Sequence, residues 1–289
     1  MKKILLSVSL IVAVAAVVVG ATTAFYSDTE VSRGNVLAAG AIDLGVDNHS
    51  YYNGKLNEET TWRIDYDIED EEGRQFFNFK DLKPGDWGED TISLHVKDND
   101  SWLCADITLT SDDDNGLTEP EGDVDSTPGP TGEGELADHV NFYWWADDGD
   151  NVYETCQDTQ VPNCVNEKLL PAGPMGALSV GQTATVALAD SQQNIWGDNG
   201  PLPGDSVRFV AKAWCFGDSS MNPYPQDGGN QQSGPDDRPV ICDGSQEGNE
   251  TQTDSFTADI AFRAVQSRNN GGFVCQPPVT QGTGGGVPE

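Results

Sequence analysis

The sequence predicts an all-β fold, a jelly-roll-like antiparallel β-sandwich with long acidic loop insertions, preceded by a cleaved signal-peptide helix. Three observations predict it. Apolar residues recur at every second position in run after run, Pro-Gly-Asp turns introduce two of those runs, and no helical period is sustained beyond the first two dozen residues. A period of two sends successive side chains to opposite faces of a strand, so each run reads as half-buried and antiparallel. Many short strands separated by turn chemistry favour a sandwich over separate layers of helix and sheet.

The leader comes first along the chain. Lys2 and Lys3 precede an apolar run from Ile4 to Val19, and Gly20-Ala21-Thr22-Thr23-Ala24 closes it with small residues. That order is a signal peptide over residues 1–23, cut by signal peptidase near residues 23–25, and the run is short for a membrane span. Residues 24–36 then form a strand-compatible segment with few strong breakers. Further alternations follow at Ile42, Leu44 and Val46, at Ile92, Leu94 and Val96, and at Leu103, Ala105, Ile107 and Leu109. Val140, Phe142 and Trp144 repeat the pattern, as do Ala184, Val186 and Leu188. Val207, Phe209, Ala211 and Ala213 share one face, and the last strand reads Phe256, Ala258, Ile260, Phe262 and Ala264.

Leu82-Lys83-Pro84-Gly85-Asp86 and Leu202-Pro203-Gly204-Asp205 each precede a strand. Proline presets the first central position of a type II turn, and glycine accepts the positive φ of the second. Residues 111–138 and 217–249 read as loop insertions, the first acidic and rich in Gly and Pro with almost nothing to bury. Residues 276–289 read as a flexible tail, so residues 24–275 form one sandwich domain.

The chain carries 48 Asp and Glu against 15 Lys and Arg, a formal charge of −33. Such a surface repels nucleic acid and anionic membranes. Six cysteines in an exported chain read first as three disulfides, and the absence of a Cys-x-x-Cys pair argues against zinc. Cys156–Cys164 closes a local loop and Cys215–Cys242 clamps a Gly/Pro-rich stretch. Cys104–Cys275 is left to tie distant strands.

Chemistry-bearing patterns are few. Asp147-Asp148-Gly149-Asp150-Asn151-Val152-Tyr153-Glu154 places five oxygen-bearing side chains around a glycine turn. Asp147, Asp148, Asp150, Asn151 and Glu154 are therefore candidate calcium ligands, although the spacing is not that of an EF-hand. Asp112-Asp113-Asp114-Asn115 is a weaker candidate for the same ion and reads first as a solvated turn. His49, His95 and His139 belong to no His-Glu-x-x-His motif, no nucleophile elbow is present, and no catalytic residue is assigned. Trp144 fits the core, with Tyr143 and Trp145 against the other face. Asn48, Asn99 and Asn249 stand in glycosylation-type sequons.

Ala24-Phe25-Tyr26-Ser27-Asp28-Thr29-Glu30, the step Ala38-Ala39-Gly40-Ala41 and the strand Ile42-Asp43-Leu44 resemble the start of the TasA/camelysin (CalY) family of secreted biofilm-matrix fibre proteins. Residues 82–96 resemble that family's Leu-x-Pro-Gly-Asp turn and strand, and residues 256–266 its final core strand. The resemblance implies an extracellular jelly roll that polymerises head to tail. Its N-terminal donor strand, here Phe25, Tyr26, Val31 and Val36, enters the next subunit; the alternative is a leader that pairs within its own subunit. The expected partners are thus further copies of the chain and other matrix or surface proteins. Two alternatives stand beside this: a non-polymerising cell-surface protein that binds calcium or a ligand through acidic loops, and a camelysin-like metalloprotease. The acidic insertions and six cysteines depart from the family's pattern.

Overall fold

The computed structural model describes residues 27–32, 43–66, 74–125, 134–157, 164–226, 234–236 and 240–277. Among the described residues strands dominate, and helix is confined to one turn and a short 3-10 segment. In chain order the strands begin with β1 (Ser27–Ser32), β2 (Leu44–Tyr52), β3 (Lys55–Leu56) and β4 (Trp62–Asp65). Two long strands follow, β5 (Trp87–Val96) and β6 (Ser101–Asp113), then α1 (Leu136–His139), β7 (Val140–Asp147), β8 (Glu154–Thr155) and β9 (Gly173–Pro174). The 3-10 turn Met175–Ala177 leads to β10 (Thr183–Ala189) and β11 (Ser206–Phe216). The chain ends through β12 (Asp218–Ser220), β13 (Tyr224–Pro225), β14 (Ile241–Asp243) and β15 (Ser255–Gln266).

Two sheets make the sandwich. One has the order β1-β15-β6-β10; the other runs β3-β2-β5-β11-β7-β9, with β4 also on β2. All pairings within the two are antiparallel. Their facing sides share one core. Leu103, Ala105, Ile107 and Leu109 of β6 and Ile260, Phe262 and Ala264 of β15 meet Leu44, Ile92, Leu94, Val96, Val210 and Trp214. The alternation read along β5, β6, β7 and β15 is therefore the core-facing set, and Trp144 lies in it as expected.

Strand β11 differs from the simple reading. Val207, Phe209, Ala211 and Ala213 do share a face, but Val210, Trp214 and Phe216 fill the core from the other one. Ala211 and Ala213 instead join Trp145 and Val240 in a second apolar cluster, with Tyr143 and Met221 packed against it. Residues 217–249 are thus more than an elaboration: through Met221 and Val240 they cover the outer side of the larger sheet. A strand covered on both sides buries both of its residue sets, which blurs the period of two.

The turns are resolved one by one. Asp86 N–H donates to Lys83 O at 2.8 Å, and Gly85 holds φ +89°, as a type II turn across Pro84-Gly85 requires. At the second Pro-Gly the positive φ falls on Asp205, at +57°, and not on the glycine. Gly204 is needed there for a different reason: a Cβ would stand 2.7 Å from Asp98 O.

All three disulfides are formed, Cys104–Cys275, Cys156–Cys164 and Cys215–Cys242, in the pairing expected from the sequence. Asn48 of the first sequon is fully buried and donates to Thr60 O and Asp90 Oδ1, which leaves no room for a glycan. The segment 111–138 also departs from its reading as an empty loop. Residues 111–113 extend β6, so Asp112 and Asp113 lie in a strand and not in a solvated turn. Glu121, Leu136 and Ala137 are buried. Residues 1–23, read from the sequence as a signal peptide, and residues 278–289 of the expected 276–289 tail lie outside the described residues.

Candidate functional site

Two places answer to the sequence-based expectations: the leader strand and the acidic loop after β7. In the leader, β1 pairs antiparallel with β15 over six positions, from Ser27 opposite Val265 to Ser32 opposite Ile260, with Val31 opposite Ala261. Phe25, Tyr26 and Val36 lie outside the described residues. β1 is the end strand of its sheet, and β15 has β6 as its other neighbour. Without β1, the backbone of β15 would become an unpaired edge, beside a side-chain set that includes the buried Phe262, Ala264 and Val265. β1 and β2 belong to different sheets, so residues 33–43 carry the chain from one to the other. Eleven residues span at most about 35–40 Å when extended.

In the acidic loop, Asp147 and Asp150 each turn a carboxylate oxygen back onto the loop's own backbone. Asp147 Oδ1 accepts from Trp145 Nε1, and its Oδ2 accepts from Gly149 and Asn151 N–H. Asp150 Oδ1 accepts from Val152 N–H at 2.9 Å. Asp148 is exposed, and Glu154 is fully buried. A residue that the sequence pattern missed completes the arrangement. Glu167 Oε1 accepts from Asp148 N–H at 3.0 Å and Oε2 from Glu154 N–H at 2.7 Å, bracing the loop from outside. Glu89, also missed, is buried beside it; Oε1 accepts from Val240 N–H, while Oε2 has no hydrogen-bond partner. Asn151 has both amide atoms unpartnered, and both residues line a cavity of about 10 Å³, roughly the room for one water.

Acids packed this way resist ionisation. Burial pushes Asp147, Glu167 and Glu89 up, and nearby carboxylates add to it: Asp150 for Asp147, and Asp147 for the other two. Glu167 reaches about 10. The sign of the linkage follows from proton counts. Above the ordinary carboxylate value of 4.5 the folded state holds protons that the unfolded chain has released, so stability falls as pH rises toward 10. In chelator-treated buffer, the denaturation midpoint is expected to decline between about pH 5 and pH 9, with a shallower slope in Glu167→Gln. An unchanged slope in that variant would remove Glu167 from the account.

Closer convergence of ligand atoms occurs elsewhere. Among the described residues, the acid or histidine sets with three ligand atoms mutually within 4.8 Å are Asp114/Glu121/Asp254 and His139/Glu247/Glu250. The four acids among the calcium candidates, Asp147, Asp148, Asp150 and Glu154, do not form such a set. In the histidine set, His139 Nδ1 is bonded to Glu247 Oε2. A cavity of about 750 Å³ opens between the sheets at one end, walled by Phe77, Phe79, Phe142, Trp214, Phe216 and Phe256. Hydropathy alone could have flagged these aromatics only as core.

Comparison with protein-family models, with curated proteins and with solved structures finds no match to this chain.

Proposed function

We propose that the protein is an exported structural subunit of extracellular-matrix or cell-surface filaments, joined head to tail by its N-terminal strand. The observation that carries this reading is the position of β1 at the end of a sheet, antiparallel to β15, while the next described strand along the chain, β2, lies in the other sheet. A strand held that way can leave its own β15 and pair in the same register with the β15 of a neighbour. The exchange conserves every ladder hydrogen bond, so its cost is small. Each subunit then offers one strand and accepts one, and a contact of that kind propagates into an open filament. The disulfides and the two-sided cover of the larger sheet suit a subunit that works outside the cell. Other matrix or surface proteins with a compatible strand would be secondary partners.

The aromatic cavity favours a second reading, a surface protein that takes an apolar ligand between the sheets. Negative-stain microscopy of the mature protein, with and without residues 24–36, separates the two. Filaments are expected only when the segment is present, and an added peptide of residues 24–36 should cap their growth. Compact monomers in both preparations would overturn assembly and leave ligand binding as the better reading.

A further inference from the structure

Three separated parts of the chain meet beside the start of β15. Asp114 follows β6, Glu121 lies in a tight turn, and Asp254 immediately precedes β15, where Ser255 stands opposite Asp113 in the ladder. Their positions are fixed by local hydrogen bonds. Asp125 N–H and Val124 N–H both donate to Glu121 O, and Gly122 N–H donates to Thr118 O, which closes the 118–125 turn. Thr118 Oγ1 donates to Gln252 Oε1, Thr253 Oγ1 to Gly116 O, and Asn115 Nδ2 to Thr253 O, which tie that turn to the 252–254 stretch.

One oxygen from each of Asp114, Glu121 and Asp254 lies within 4.8 Å of the other two. An acidic cluster alone proves little in a chain with 48 acids. Glu121 supplies the independent observation. It is fully buried; its Oε2 accepts from Thr118 N–H at 2.9 Å, yet Oε1 has no hydrogen-bond partner. Asp254 repeats the division: Oδ2 accepts from Glu135 and Leu136 N–H, while Oδ1 is buried and unpartnered. Glu135 Oε2 and Asp112 Oδ1 are two further buried oxygens without a partner in the same neighbourhood of sequence and fold. A buried carboxylate oxygen with no donor loses its hydration and regains nothing unless a cation or proton meets it.

From this convergence we infer that Asp114, Glu121 and Asp254 form a calcium site. The donor set is all hard oxygen, with no imidazole or thiolate, which selects calcium or magnesium over zinc or copper. Loop-borne carboxylates of unequal reach, supplemented by main-chain oxygens and water, suit calcium's larger and less regular shell better than magnesium's strict octahedron. The ion would fasten the 114–125 turn to the root of β15. This assignment is independent of filament formation, and it uses none of the residues in the 147–154 loop.

The test is calcium titration of the mature protein by calorimetry, in metal-stripped buffer, beside Glu121→Gln, Asp254→Asn and the control Glu58→Gln, an exposed acid outside every acidic cluster. Wild type and the control are expected to bind with a dissociation constant on the order of 10⁻⁴–10⁻³ M, the range of extracellular calcium modules. Each ligand variant should lose that binding or weaken it by about tenfold or more. Thermal melts give a second readout that does not depend on heat of binding. Calcium raises the wild-type midpoint by more than equal magnesium does, and the gain shrinks in both ligand variants. Without calcium, those variants should melt no lower than wild type, because each removes a charge from the cluster. Absence of calcium binding in wild type, or full retention of it in both folded ligand variants, would overturn the assignment.

Discussion

Replacing Cys104 and Cys275 together by alanine is expected to cost about 5 kcal/mol of folding stability, the largest loss of the three disulfides. The reason is the length of chain that the bond closes. It joins residues 171 apart in sequence, against 27 for Cys215–Cys242 and 8 for Cys156–Cys164. Loop-closure entropy in the unfolded chain grows with the logarithm of that length, giving about 5, 3.5 and 2.5 kcal/mol in that order. The long bridge also fixes the segment after β15. Cys275 N–H donates to Asp190 Oδ2, Ser191 N–H to Phe273 O, and Trp102 Nε1 to Asn270 O, so that segment is held along β6 and the end of β10. Guanidinium denaturation of the three double-alanine variants under oxidising conditions checks the ranking. If the Cys156/Cys164 variant proved the weakest, local contacts and not chain closure would govern how the disulfides act.

Much of the sandwich was legible because its period was. In β5, β6, β7 and β15 the alternate apolar residues are the ones that face the opposite sheet, and burial decides register when one side is dry. The disulfide pairing was legible for a related reason: one bridge closes a local loop, another clamps a long irregular stretch, and the third pair remains. Legibility failed where a second layer covers a sheet. Lys212 falls between Ala211 and Ala213, so alternation assigns it to the wetter side; yet Val210, Lys212, Trp214 and Phe216 face the core, and the alanines lie under Val240. It failed again at residues 111–125. A hydropathy reading treats Glu121 as a solvated group, whereas its burial follows from hydrogen bonds to Thr118 and Thr253, residues brought together only by the fold. The calcium expectation for the 147–154 loop rested on acid density within one stretch. The tighter group of oxygens shares only Asp114 with the acid run at 112–115 that local spacing marks, and draws Glu121 and Asp254 from two further stretches that only the fold brings together.

Lys212 carries the second large expected effect. Its side chain is fully buried and its Nζ lies 2.5 Å from Asp90 Oδ2, whose side chain is 1% exposed. The two residues are direct cross-strand partners between β11 and β5. Asn48 Nδ2 donates to the other Asp90 oxygen, and the ammonium stands 5.3 Å from the centre of the Phe77 ring. Both charges have left water, so their mutual attraction is largely consumed in offsetting desolvation. Removing one partner abandons the other in the core. Lys212→Met and Asp90→Val are each expected to lose about 3–5 kcal/mol. The double variant should lose much less than the sum and can equal or exceed wild type, because two apolar side chains fill the same space without a desolvation cost. Denaturant melts of the four proteins close the cycle. A neutral Lys212→Met would mean that Asp90 finds another partner when the lysine is gone, and the pair would then not be the electrostatic centre of the sandwich. A double variant as damaged as the sum of the singles would instead assign the loss to packing around Trp214 and Phe77. The pair would then act through shape and not through charge.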